Sequence, residues 1–152
     1  MAKENLMLNR HDIQVGPGDE VVRGAYFTPD DEIAKWWNAA YGGFLKSDNI
    51  PYFRGVMVHE YVEAKLLEAG MPYLSSHPDA WDDEGPVFNP EHFGAHNVAP
   101  RSFSPGPLTT EKRVGSLELW PAYGIEVPSI PVADDLSNLD VWVEAAKRSL
   151  GL

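Results

Sequence analysis

Seven prolines fall between residues 71 and 107, and they constrain the fold more than any other feature of the chain. Proline lacks a backbone N–H, and its ring clashes with the preceding turn of a helix. Regular structure must therefore be built on either side of this stretch. A long irregular segment is uncommon in a compact domain and is usually functional or mobile. Within it, Asp82-Asp83-Glu84 reads as a solvated turn that Gly85-Pro86 ends. Asn89-Pro90-Glu91 is expected to start a short helical turn carrying His92 and His96, with Gly94 weakening the alignment of the pair.

On the N-terminal side, residues 1–18 read as an irregular lead-in and residues 21–27 as a short strand. Thr28 as N-cap and Pro29 at the first helical position predict a helix start. Ile33, Trp36, Trp37, Ala40, Tyr41 and Phe44 then form one apolar helix face, and Gly42-Gly43 is expected to fray the end. A second helix is predicted from near Pro51 to Ala69, capped by Gly70. Val58, Val62, Leu66 and Ala69 mark its inward face, His59 and Glu63 lie beside that face, and Lys65 and Glu68 look outward. Beyond the prolines, residues 116–120 and 124–127 read as strands joined through Pro121-Ala122-Tyr123. Residues 137–140 look like a capping-box start to a last helix. Its buried stripe is Leu139, Trp142, Val143, Ala146 and Leu150, and Lys147 and Arg148 suit its C-terminal end. The expected fold class is α+β. About three helices pack on a small antiparallel sheet in one domain spanning residues 1–152, with the long Pro-rich loop over a cleft.

Composition narrows the chemistry. The chain has 152 residues, 43% of them apolar and 23% charged, which is the balance of a globular protein. No run approaches the ~18 apolar residues a membrane span needs. The opening residues lack the continuous apolar core of a signal peptide. The expectation is a soluble chain, cytoplasmic or delivered into a target cell. With no cysteine, disulfides, thiolate metal sites and a Cys nucleophile are excluded. The net charge of −11 repels phosphate backbones. Nucleic acid is thus a disfavoured partner, although Arg101, Lys112 and Arg113 flank one loop.

The residues 58–63 read Val-His-Glu-Tyr-Val-Glu, an H-E-x-x-E pattern. Positions i and i+4 of a helix share a face, about 5–6 Å apart at Cβ, so His59 and Glu63 can both reach one metal ion. Glu60, about 100° round the helix, is placed to hold or deprotonate a metal-bound water. The logic is that of the H-E-x-x-H zinc helix with Glu63 in place of the second histidine. A divalent metal is implied, zinc first among the candidates. A third ligand has to come from downstream, in the order of preference His77, His96, His92. The plain alternative is a helix-surface glutamate beside a core histidine that has its own hydrogen bond. A metal-free alternative uses His59 or His77 as general acid and base, tuned by Glu60 or Glu63, with Arg101 binding an oxyanion or phosphate, as in metal-independent ribonucleases. An HNH-nuclease reading of residues 95–101 fails because no histidine follows His96. From a different class, the chain reads as a non-catalytic acidic inhibitor that docks on a basic partner.

The stretch Phe53-Arg54-Gly55-Val56-Met57-Val58-His59-Glu60-Tyr61-Val62-Glu63, followed by Glu68-Ala69-Gly70-Met71-Pro72-Tyr73 and then His77, resembles the C-terminal toxin modules of bacterial polymorphic toxins of the Rhs type. The resemblance covers about residues 53 to 101. It implies an enzymatic toxin delivered into a rival cell and neutralised by an immunity protein, with His59, Glu63 and His77 in the active site. The acidic charge departs from the basic nuclease members of such families. It leaves a peptide, nucleotide or other small target.

Overall fold

The structure, a computed structural model, describes residues 10–26, 31–100 and 117–152. Its architecture is α+β, as the sequence predicts. Strands β1 (His11–Gln14) and β2 (Val21–Ala25) form one antiparallel hairpin; β3 (Trp81–Asp82) and β4 (Gly85–Pro86) form a second, smaller one. The helices are α1 (Asp31–Tyr41), α2 (Ile50–Glu68), the single-turn α3 (Ala95–Val98) and α4 (Leu139–Leu150). Short 3₁₀ turns lie at Ser47–Asn49, Pro78–Ala80 and Leu117–Tyr123.

Helix α2 is the spine. It starts with Pro51 in its first turn and ends as Gly70 predicts: Gly70 takes φ +94°, its N–H bonds Leu67 O, and Met71 N–H bonds Leu66 O. This Schellman motif satisfies the last carbonyls of the helix. The same motif closes α1, where Gly43 takes φ +74° and Phe44 N–H reaches Ala39 O. Gly42-Gly43 therefore caps α1, where fraying was expected.

Val58, Val62 and Leu66 repeat every fourth residue and are fully buried against α3 and α4. Leu139, Trp142, Val143 and Ala146 of α4 close the core from the other side. Tyr61 fastens the two helices, its hydroxyl donating to Asp140 Oδ1 at 2.6 Å. That carboxylate, with partial burial, pushes the Tyr61 phenol up to about 12.

Several expectations do not hold. Residues 117–120 and 124–127 are not paired strands; the segment is a 3₁₀ helix that buries Trp120 completely. The indole sits edge-on to Trp142, with centroids 5.7 Å apart, and its Nε1–H donates to Val98 O at 2.8 Å. Burying that large ring and using its N–H decides the local fold over the β-prone pattern of the segment. Ser116 lies outside the described residues, as do Phe27, Thr28 and Pro29. The lead-in is not irregular throughout, because β1 pairs with β2. Their register shifts near Gly24, which has φ +59° and donates to Asp12 Oδ1, the geometry of a bulge. The apolar face of α1 is only partly buried: Trp36 and Trp37 pack on Tyr52 and Phe53, but Tyr41 and Phe44 are 92% and 83% exposed. No capping box forms at α4. Asn138 Oδ1 accepts instead from Ala133 N, and Ser137 N–H bonds Asp135.

Candidate metal centre

His59 and Glu63 stand one turn apart on α2, beside the Val58–Val62–Leu66 stripe. Both are buried, at 8% and 3% exposure. The third member is His96, which α3 delivers. That helix is one turn long and cannot hold itself in place. Its free N-terminal N–H groups are taken by the chain leaving α2: Ala95 N–H bonds Pro72 O at 2.8 Å and His96 N–H bonds Tyr73 O at 3.0 Å. At its other end Trp120 holds the Val98 carbonyl.

Gly94 lets the two segments meet. A Cβ at that position would lie inside the Tyr73 carbonyl and 2.6 Å from the Leu74 Cα. Its N–H is taken by Asn97 Oδ1 at 2.9 Å. A glycine weakens a helical turn by propensity, but here it is what allows the turn to dock.

The geometry at the centre is specific. His59 Nε2 lies 3.1 Å and His96 Nδ1 2.6 Å from the same oxygen, Glu63 Oε2. His59 Nδ1 is 3.0 Å from the Ala99 carbonyl. A carbonyl only accepts, so Nδ1 carries the hydrogen. In the neutral ring Nε2 is then a bare lone pair aimed at a carboxylate oxygen. The ligand atoms of His59, Glu63 and His96 all lie within 4.8 Å of one another. Such a convergence of electron-rich atoms requires a cation, either an extra proton on an imidazole or a metal ion.

A ligand imidazole that donates its other N–H to a backbone carbonyl is the usual arrangement of metal sites. Two ligand atoms at zinc distances and tetrahedral angles stand roughly 3.3 Å apart. The His59–Glu63 spacing matches. The His96–Glu63 contact has to open by about 0.7 Å, and the His96 side chain, packed on Tyr73, is the most exposed of the three at 24%. Access to the centre is also over His96, because the His59 and Glu63 side chains are only 10% and 3% exposed.

Burial alone pushes the Glu63 carboxyl up. Hydrogen bonds from His59 and His96, and the charge of both rings, outweigh it and hold the carboxyl down at about 2. A carboxylate lowered in the folded state contributes stability that is fully present above its ordinary value and is lost as the pH falls through the folded one. The stability of metal-free protein is thus expected to drop between pH 4.5 and about 2. Circular dichroism across that range checks this, and Glu63→Gln should flatten the limb.

The other candidates fall elsewhere. His77, preferred from sequence as the third ligand, joins Asp79 and His92 in a second group on the segments that flank the β3–β4 hairpin. His96 takes the place expected of it. The reason is the Asn97–Gly94 turn docked on Pro72 and Tyr73, a long-range fit that residue spacing does not reveal. Glu60 is half-buried and belongs to neither group among the described residues. Arg101, Lys112 and Arg113 lie outside the described residues. Asp82-Asp83-Glu84 is the turn it was expected to be, with Asp82 Oδ1 accepting from Glu84 and Gly85 N–H. No family model, curated protein or solved structure matches the chain.

Proposed function

We propose that the chain is a metal-dependent hydrolase centred on His59, Glu63 and His96, acting as an effector or toxin domain controlled by an immunity partner. The observation that supports this reading is the convergence of two imidazole nitrogens and one carboxylate oxygen on a single buried point. Two histidines and a glutamate are a ligand set of catalytic zinc sites, in which three protein ligands leave a fourth position for water or substrate. A bound divalent ion supplies Lewis acidity and lowers the pKa of water.

The protein's own groups do the rest. Ala99 O fixes the His59 tautomer, so that Nε2 faces inward. Glu63 carries the negative charge that balances the cation. Glu60, about 100° round the helix from His59, is the carboxylate that would accept a proton from water at such a centre. The charge of −11 disfavours a nucleic-acid polymer and leaves a peptide, a nucleotide or another small molecule as substrate. The toxin assignment rests on the resemblance of residues 53–101 to polymorphic-toxin modules.

A second reading draws on the same contacts. Each member of the triad has a protein partner, so the network also serves as a buried ion-pair brace in a non-catalytic acidic protein that docks on a basic one. One experiment separates the two. Untagged protein is stripped with chelator, reloaded with zinc, and assayed against unstructured peptides, nucleoside triphosphates and RNA. The hydrolase reading expects turnover of one class that chelator abolishes and zinc restores. Full inertness with every probe, together with no zinc uptake, leaves only the brace.

A further inference from the structure

We infer that His77, Asp79 and His92 form a second divalent transition-metal site, separate from the centre on α2 and independent of whether that centre is catalytic. The β3–β4 hairpin brings residues 77–80 and 87–92 side by side. Val87 N–H bonds Ala80 O at 2.9 Å, and Asn89 Nδ2 donates to Asp79 O at 3.0 Å. Trp81 Nε1 anchors the arm by donating to Ser75 O at 2.7 Å. The rings of His77 and His92, fifteen residues apart in sequence, stack face to face with centroids 3.5 Å apart and planes 8° from parallel.

The hydrogen bonding limits which atoms can reach an ion. His77 Nδ1 accepts the Asp79 N–H at 3.2 Å, a long contact that uses its lone pair, so an ion at His77 takes Nε2 or displaces this N–H. Asp79 Oδ2 lies 3.8 Å from the same nitrogen. The ligand atoms of the three residues lie within 4.8 Å of one another. A cation that accepts imidazole and carboxylate together fits this donor set, and zinc, nickel and copper(II) have that preference. The side chains of His77 and Asp79 are 44% and 72% exposed, so the ion would exchange with solvent and keep open positions.

The consequence is mechanical. Residues 77–92 immediately precede Gly94 and His96, so an ion here would brace the segment that carries the third ligand of the inner centre. The test is a zinc titration of metal-free, untagged full-length protein by equilibrium dialysis. Wild type is expected to bind two equivalents, His92→Ala one and His96→Ala one, and the double variant none. Asp79→Asn keeps the shape and is expected to weaken only the outer site. Circular dichroism confirms that the exposed variants stay folded. An unchanged zinc stoichiometry in both His77→Ala and His92→Ala overturns the outer site. Loss of one equivalent in His92→Ala with none lost in His96→Ala keeps the outer site and removes the inner one.

Discussion

Glu60→Gln is expected to keep its metal and lose roughly 10²–10⁴-fold in turnover, the range typical of a missing general base. Glu63→Gln is expected to lose the metal itself. The two glutamates share a helix and a side-chain chemistry, and the fold separates them. Glu63 is 3% exposed and receives both imidazoles on one oxygen. Glu60 is half-buried and stands outside that cluster. A neutral amide at position 63 leaves two histidines with no balancing charge, and losing one partner of a buried pair costs about 3–5 kcal/mol. Glu63→Gln therefore loses stability as well as metal. Metal content, melting temperature and turnover are measured side by side; growth arrest of a bacterial host serves as the activity readout if the toxin reading holds. Metal lost from Glu60→Gln but retained by Glu63→Gln would reverse the roles assigned to them.

Trp120→Ala is expected to destabilise the fold by about 3–5 kcal/mol, as full truncation of a buried indole does. Trp120 is 0% exposed, packs on Trp142 and supplies the hydrogen bond that holds the end of α3. Under conditions where it still folds, the variant should also bind metal more weakly, because α3 carries His96. Trp120→Phe keeps most of the volume and loses the bond to Val98 O, for a smaller cost of about 1 kcal/mol from the hydrogen bond. Trp36→Ala, with its ring only partly buried, should cost less than Trp120→Ala. Urea denaturation ranks the three. Equal losses for Trp36→Ala and Trp120→Ala would mean that the core does not centre on the 3₁₀ segment.

What the sequence disclosed follows the range of the interactions. Helix α2 was legible from end to end because its signals are local: Pro51 in its first turn, valines and a leucine at every fourth position, Gly70 just past its end. The pairing of His59 with Glu63 needs nothing beyond helical geometry. His96 was harder, because its position depends on a glycine pressed against Tyr73 and Leu74 and on an indole reaching Val98 from twenty-two residues away. His77 was preferred because it is close in sequence to the end of α2, but the hairpin that follows turns it toward His92 instead. The strand pattern of residues 116–127 misled because apolar residues there serve a compact 3₁₀ turn packed on two helices.

A cation other than a proton between His59, Glu63 and His96 is detected by elemental analysis of protein purified without a His-tag, gel-filtered, and compared with His96→Ala and Glu63→Gln prepared identically. Stoichiometric zinc or another divalent transition metal is expected in wild type, reduced by one equivalent in each variant. A wild-type protein that carries no metal, takes up none on dialysis against zinc, and matches both variants in content would contradict it.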